Sequence, residues 1–191
     1  MTDEELVESS LRYEEAFYTL MKRYEPVLLR YINRMTRAGR EEAEDLIQDI
    51  FIKVYRNLNG FDTGLKFSTW VYRIAHNEII SQYRKKKGEP LSVEPGEHDE
   101  DAGSLSNFLT DTFNTEARVI NREKAVAVRR ALDRLPEKYR VVLLLYYFEE
   151  LSYTEISDIL KKPSGSIATL LNRAKDKFKK IAEQNRLESI Y

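Results

Sequence analysis

Polar and basic side chains recur at helical spacing between residues 166 and 180, and their chemistry suits contacts with nucleic acid. Serine, threonine, asparagine and arginine can hydrogen-bond to base edges in the major groove of DNA or to phosphate oxygens. The spacing places six residues on one outer helix face: Ser166, Ala168, Thr169, Asn172, Arg173 and Asp176. Further positive charge comes from Lys175, Lys177, Lys179 and Lys180. Taken alone, this face is either a DNA-recognition surface or the solvated side of an ordinary helical hairpin.

Catalytic constellations are missing from the sequence. The chain has no cysteine, which excludes disulfides, cysteine-ligated metals and a thiol nucleophile. The only histidines, His76 and His98, are far apart, and no glycine-rich phosphate loop or nucleophile–base pair is recognisable. The acidic residues 97–101 lie in a segment that would not hold carboxylates in a fixed geometry. We therefore expect no enzymatic activity, no catalytic residue, no metal, no cofactor and no small-molecule substrate.

Two helices must position the polar face. Residues 152–160 form a short amphipathic pattern, residues 161–165 contain Pro163 and Gly165, and a longer helical pattern begins near Ser166. This order predicts a helix-turn-helix, in which the second helix enters the major groove. The apolar residues predicted to form the shared core are Ile156, Ile159, Leu160, Ile167, Leu171, Ala174, Phe178 and Ile181.

The rest of the chain also has helical periodicity. Helices are predicted over residues 13–35, where Pro26 would kink or split the helix, and over residues 40–58. A third helix, capped by Ser68 or Thr69, runs to the basic residues 84–87. Two more are expected over residues 116–134 and from Pro136, in the first helical position, to about residue 149.

Charge divides the chain into three parts. Residues 1–90 carry equal numbers of acidic and basic side chains, residues 91–115 carry six acidic and no basic ones, and residues 116–191 have a net charge of +5. Residues 89–115 also hold prolines and glycines. We predict an all-α protein with two small helical domains, 1–88 and 116–191, joined by a flexible acidic linker, 89–115. The acidic start and the lack of a long apolar run favour a soluble, cytoplasmic protein.

Three blocks of the sequence, taken in order, resemble group IV (extracytoplasmic-function, ECF-type) bacterial sigma factors. The block AEDLIQDIFIKVYRNLNGFD (43–62) is similar to the family's region 2.2, and KFSTWVYRIAHNEIISQYRKKK (66–87) to its regions 2.3 and 2.4. The block ALDRLPEKYRVVLLLYYFEELSYTEISDIL (131–160), with the turn and helix that follow, is similar to region 4. The resemblance implies a sigma region 2-like domain, a sigma region 4-like domain, and a subunit that directs core RNA polymerase to promoters.

The resemblance also implies partners for particular faces. The face of helix 43–58 opposite its core would bind the β′ clamp of the polymerase through Asp45, Gln48, Asp49, Ile52, Lys53 and Arg56. Its mixed charge around one apolar residue is typical of a reversible interface, although a solvated face is the alternative. The loop at residues 59–67 would capture a flipped base of the −10 element. The −10 DNA, duplex and melted, would contact Lys66, Trp70, Arg73, Asn77, Arg84, Lys85, Lys86 and Lys87.

The second domain would read the −35 element and contact the β flap of the polymerase. The implied DNA-binding residues are Ser166, Ala168, Thr169, Asn172, Arg173 and Lys175. Many relatives have a basic residue where this chain has Ala168 and Leu170, so the −35 preference is expected to be unusual or to depend on duplex shape. An anti-sigma factor, often membrane-bound in the family, would cover both domains.

Two alternatives stay open on the residues alone. Trp70 is either a core residue or a wedge at the edge of melted DNA, and His76 is expected at the surface. The chain as a whole could instead be an autonomous transcriptional regulator with a C-terminal helix-turn-helix. Block 43–87 distinguishes the two functions, because such a regulator does not need it.

Overall fold

The computed structural model describes residues 1–36, 38–87 and 125–184, and all regular secondary structure within them is helical. The first domain contains α1 (Asp3–Ser10), α2 (Glu14–Met35), α3 (Arg40–Asn57), a 3₁₀ turn (Leu58–Gly60) and α4 (Phe67–Lys87). The second contains α5, described over 125–133, then α6 (Glu137–Tyr147), α7 (Tyr153–Leu160) and α8 (Ser164–Gln184). The predicted all-α, two-domain fold is confirmed. The predicted linker, 89–115, lies entirely within residues 88–124, outside the described ranges.

The first domain packs α2, α3 and α4 around one apolar core. The side chains with no exposed surface include Leu28, Tyr31, Ile32, Ile50, Val71 and Ala75. Helix α2 runs unbroken through Pro26, whose ring is exposed, so the helix is not split as one interpretation of the sequence allowed.

Helix α1 is an element that the sequence patterns did not predict. It begins with a capping box in which the backbone N–H of Glu5 donates to Thr2 Oγ1 at 3.2 Å and the N–H of Thr2 donates to Glu5 Oε2 at 2.8 Å. The carboxylate of Asp3 accepts hydrogen bonds from Arg23 and Tyr24 of α2, so α1 lies against the long helix.

Contact with α1 also explains where α4 begins. We expected Ser68 or Thr69 as the cap, but α4 begins at Phe67 and both residues lie inside its first turn. The backbone N–H of Phe67 donates instead to Glu4 Oε1 at 3.3 Å. A carboxylate from a distant helix therefore satisfies the helix terminus, which local sequence could not indicate.

The second domain contains the predicted helix-turn-helix. Ser152 caps α7 through a capping box with Glu155, and Lys161 ends α7 in the left-handed region at φ 52°. Helix α8 begins at Ser164, two residues earlier than predicted, because the N–H groups of Ser166 and Ile167 donate to the Pro163 carbonyl at 2.8 and 3.1 Å. Pro136 precedes the first residue of α6 rather than occupying it. Within the predicted core, five residues are buried: Ile156, Ile159, Ile167, Leu171 and Ala174.

The two domains lie against each other. Helix α4 packs on α7, and α2 packs on α6. Polar contacts cross between them: Arg34 Nη1 donates to Glu149 Oε1 at 2.9 Å, and Lys66 Nζ donates to Glu155 Oε1 at 2.9 Å. Arg129 donates to the backbone carbonyl of Asn33. No helix in the described ranges has the length and apolar character that crossing a membrane requires.

Candidate nucleic-acid interfaces

Helix α8 presents the polar face that the sequence predicts. Ser166, Thr169, Asn172, Arg173 and Asp176 are exposed, and Ala168 is half-buried. These side chains share one helix face because their opposites, Ile167, Leu171 and Ala174, are fully buried against α6 and α7. Leu170 also packs on the core in part, which gives this apolar residue a structural role.

Lys175 differs from the other predicted DNA-binding residues of α8. Its ammonium lies over the rings of Tyr146 and Tyr147, at 5.8 and 5.5 Å from their centroids. A hydrogen bond with Tyr147 raises the pKa of Lys175 above its ordinary value. The side chain is therefore directed toward α6 in its own domain, which leaves Arg173 as the better placed cation for a DNA contact.

The predicted polymerase-binding residues divide into two groups along α3. Asp45, Gln48, Ile52 and Arg56 are exposed, and Ile52 keeps 48% of its surface in solvent. Asp49 and Lys53 are also exposed but bond to α4: Gln82 Nε2 donates to Asp49 Oδ2 at 3.1 Å, and Lys53 donates to Glu78. The structure therefore places all six on one helix and involves two of them in the packing of the first domain.

The predicted −10 residues also separate by environment. Asn77 and Lys85 are exposed, Arg73 and Arg84 are half-buried, and the side chain of Lys87 lies outside the described part. Lys86 forms an ion pair with Glu42 of α3. Lys66 forms its ion pair with Glu155 of the other domain. In this arrangement one cation of α4 and the one just before it are thus neutralised by carboxylates of the chain itself.

Trp70 lies in the core of the first domain. Only 8% of its surface is exposed, and its ring centroid lies 5.1 Å from that of Phe61 and 5.6 Å from that of Phe67. The structure therefore gives Trp70 the packing role that was one of its two interpretations, and a wedge function would require the ring to leave this cluster. The loop before α4 is exposed at Leu65, and Asp62 Oδ1 accepts from the backbone N–H of Gly64 at 2.9 Å.

The expectation that His76 is a surface residue was wrong. The ring is half-buried, its Nδ1 is hydrogen-bonded to the hydroxyl of Tyr31 at 3.1 Å, and burial lowers the pKa of His76 to about 4. The periodicity of α4 did not indicate this burial, because His76 lies at the margin of the apolar stripe of α4. At such a position the exposure of a side chain depends on where the neighbouring helix α2 lies.

This low pKa predicts acid sensitivity. Above pH 6.5 the imidazole is neutral in both states, but below it only the unfolded chain binds the proton, so stability falls as the pH drops toward 4. Between pH 7.5 and pH 5.0 we expect this histidine to lower the free energy of unfolding of the first domain by about 2 kcal/mol. Urea unfolding at both pH values should show a smaller loss for His76→Asn than for the parent. An equal loss in both chains would contradict the assignment.

Glu149 is the residue of greatest structural consequence that the sequence did not single out. Its side chain is 4% exposed and accepts from Arg34 of α2 and, at 2.5 Å, from the hydroxyl of Tyr72 of α4. The one feature of the sequence that could have indicated Glu149 is its position, directly after an apolar run and directly before a second acidic residue. Glu155 is the second such residue: burial acts to raise the pKa of its carboxyl, but hydrogen bonds from Ser152 and Lys66 bring that pKa below its ordinary value.

Comparison with known proteins supports the predicted resemblance over both domains. Residues 20–89 match the family described as Sigma-70 region 2, and residues 125–178 match Sigma-70, region 4. Among solved structures, the chain is similar to CnrH in complex with the cytosolic domain of CnrY, with a TM-score of 0.66 and 21% identity over 95% of this chain and 97% of that one. It is also similar to the Bartonella quintana sigma factor RpoE in complex with the anti-sigma factor NepR, with a TM-score of 0.62 and 21% identity over 87% and 96% of the two chains.

These solved structures show that the fold is shared, and relatives found by sequence have a higher identity to the chain. The chain is 34% identical over 167 residues to the ECF RNA polymerase sigma factor SigW of Bacillus subtilis (strain 168), covering 87% of this chain and 89% of that protein. The match of residues 20–89 to region 2 favours a sigma factor over an autonomous regulator. The chain therefore belongs to the ECF RNA polymerase sigma factors, which are specificity factors for transcription initiation.

Proposed function

We propose that the outer face of α3 binds the β′ clamp of core RNA polymerase, while α4 and the loop before it contact the −10 element. Helix α8 contacts the −35 element, and the second domain meets the β flap. The domains 1–88 and 116–191 act as separate recognition modules joined by the acidic segment 89–115. Because core polymerase and the chromosome share the cytoplasm of a bacterium, the chain acts there, without catalysis of its own.

The polymerase interface is supported by the composition of the α3 face. Ile52 is a half-exposed apolar residue flanked by exposed residues of both charges, including Asp45 and Arg56. Interfaces that form reversibly combine an apolar centre with a polar rim, and complementary charge sets their specificity. Asp45 is the best residue for a test, because Asp49 and Lys53 also bond to α4.

Reversing the charge at Asp45 is expected to weaken association with core polymerase roughly tenfold or more, because like charges across an interface are unfavourable. Competition binding between the Asp45→Lys chain and the parent measures the effect, and promoter-directed run-off transcription should fall with it. The matched control is Glu8→Lys, an exposed reversal on α1. Normal association and transcription by Asp45→Lys would overturn the proposed interface.

We infer that an anti-sigma factor controls the chain. The similar sigma factor RpoE of Bartonella quintana is solved in complex with the anti-sigma factor NepR, and the fold of that chain matches this one. Exposed apolar residues on both domains, among them Ile52, Tyr55 and Tyr147, offer surface that such a protein could cover. Isolation of the chain from its native cell should recover a second small protein in addition to polymerase, and recovery of polymerase alone would count against this control.

A further inference from the structure

A carboxylate with a buried side chain forms polar contacts between the two domains. Glu149 directly follows α6 and its capping residue, and its side chain is 4% exposed. It accepts hydrogen bonds from Arg34 Nη1 at 2.9 Å and from the Tyr72 hydroxyl at 2.5 Å. Both donors belong to the first domain, so the charge of this carboxylate is compensated across the domain boundary.

The surroundings of Glu149 hold its two partners in place. The guanidinium of Arg34 lies 4.6 Å from the ring centroid of Phe148, and the ring of Tyr72 packs edge-on against Tyr31 at 5.4 Å. Burial, followed by the hydrogen bond to Glu149, raises the pKa of Tyr72, so its hydroxyl stays protonated and donates. Hydrogen bonds to an ionised group are about twice as strong as neutral ones. The contact is therefore specific in geometry as well as in charge.

The closed arrangement cannot bridge two promoter elements. Helix α7 packs on α4, and α8 begins four residues after α7 ends. Packed helix axes lie about 8–10 Å apart, so the part of α8 that packs on α7 is within about 20 Å of α4. Elements about 20 base pairs apart at 3.4 Å each are separated by about 70 Å. Recognition of both elements at once requires α7 to leave α4.

We propose that the Glu149 contact is a latch that holds the free chain in a closed, autoinhibited arrangement, and that binding to core polymerase opens it. The latch keeps the first helix of the helix-turn-helix on the helix that would contact the −10 element. The claim that closure is inhibitory rests on the proposed function of α4 and α8. The closed arrangement itself is seen in the structure, in the packing of α4 on α7 and in the polar contacts of Glu149 and Glu155, and does not depend on that function.

The absence of cysteine allows a direct measurement of closure in the full chain. Spin labels at Glu15→Cys on α2 and Asp158→Cys on α7, both exposed positions, report the distance between the domains. The parent should give one narrow distance distribution. Glu149→Gln and Tyr72→Phe, which alter the two sides of one hydrogen bond, should each raise the ratio of open to closed chains roughly tenfold. Glu150→Gln is the matched control, since Glu150 is the exposed neighbour.

Core polymerase supplies the second measurement. If opening limits binding, the apparent affinity of Glu149→Gln for core polymerase should increase by up to roughly tenfold, because a larger fraction of chains is competent. Circular dichroism establishes that both variants keep their helices. Should Glu149→Gln not fold, Tyr72→Phe, which retains the packed ring, carries both measurements.

The outcomes separate the latch from the proposed function. An unchanged distance distribution in the folded variants would overturn the latch, whatever the chain binds. Separated domains with unchanged polymerase affinity would overturn the autoinhibition. Failure of the parent and of all variants to bind polymerase would overturn the proposed function, while separation of the domains in Glu149→Gln would still support the contact as the element that closes the chain.

Discussion

Replacing Leu171 with alanine is expected to lower the free energy of unfolding of the second domain by about 2 to 5 kcal/mol. Leu171 has no exposed surface and lies in the core that α8 shares with α6 and α7. The truncation removes apolar burial and leaves a cavity. A domain of roughly 60 residues has only about 3 to 9 kcal/mol of stability in total, so the loss would be a large fraction of it.

The neighbouring residue provides a matched control. Asn172 is exposed, and Asn172→Ala should change the unfolding free energy by less than about 0.5 kcal/mol. Urea unfolding of the full chain, with hydrogen exchange resolving α6 to α8, distinguishes the two variants. Equal unfolding midpoints for Leu171→Ala and the parent would contradict the packing of α8. Promoter binding lost with Leu171→Ala reflects the fold, whereas binding lost with Asn172→Ala reflects the DNA contact.

Removing the charge of Lys53 is the second change for which we expect a large effect. Lys53 is half-exposed, but its partner Glu78 keeps only 5% of its side chain in solvent. Lys53→Met would leave a buried carboxylate of α4 without this ammonium, at a cost of about 2 to 4 kcal/mol. Urea unfolding of the first domain measures the loss.

A second substitution identifies the cause of that loss. In Lys53→Met with Glu78→Gln, the buried charge is absent, and most of the lost stability should return. Arg56→Met, an exposed change on the same helix, should alter the unfolding free energy by less than about 0.5 kcal/mol. If the double variant is no more stable than Lys53→Met, the ion pair is not the cause. A transcription defect caused by a substitution at Lys53 would therefore have two causes, a less stable first domain and a weaker contact with polymerase.

Local sequence was sufficient wherever a residue's environment depends on its own helix. The outer face of α8 followed from the spacing of Ile167, Leu171 and Ala174, because residues three and four apart share a face. The cap of α7 follows a similar local rule, since Ser152 and Glu155 have the spacing of a capping box.

Contacts between distant elements were not predictable in this way. Glu4 reaches the start of α4 from α1, and Tyr31 of α2 is hydrogen-bonded to His76 of α4. Glu149 of the second domain accepts from Tyr72 of the first, 77 residues away in sequence. In each case the partner belongs to another helix, and no periodicity within one helix indicates which helix will lie beside it. The roles of the −10 and −35 residues stay predictions for the same reason, since their partner is a different molecule.

The ion pair between Lys66 and Glu155 has a consequence for competition between ligands. The Lys66 ammonium donates to a carboxylate, which resembles a DNA phosphate in its negative charge and in its hydrogen-bond acceptor oxygens. If the domains separate as we propose, Glu155 moves away with α7 and the Lys66 ammonium becomes available to another anion. Under the proposed contact of Lys66 with the −10 DNA, separation of the domains would therefore also free one more cation for the DNA backbone.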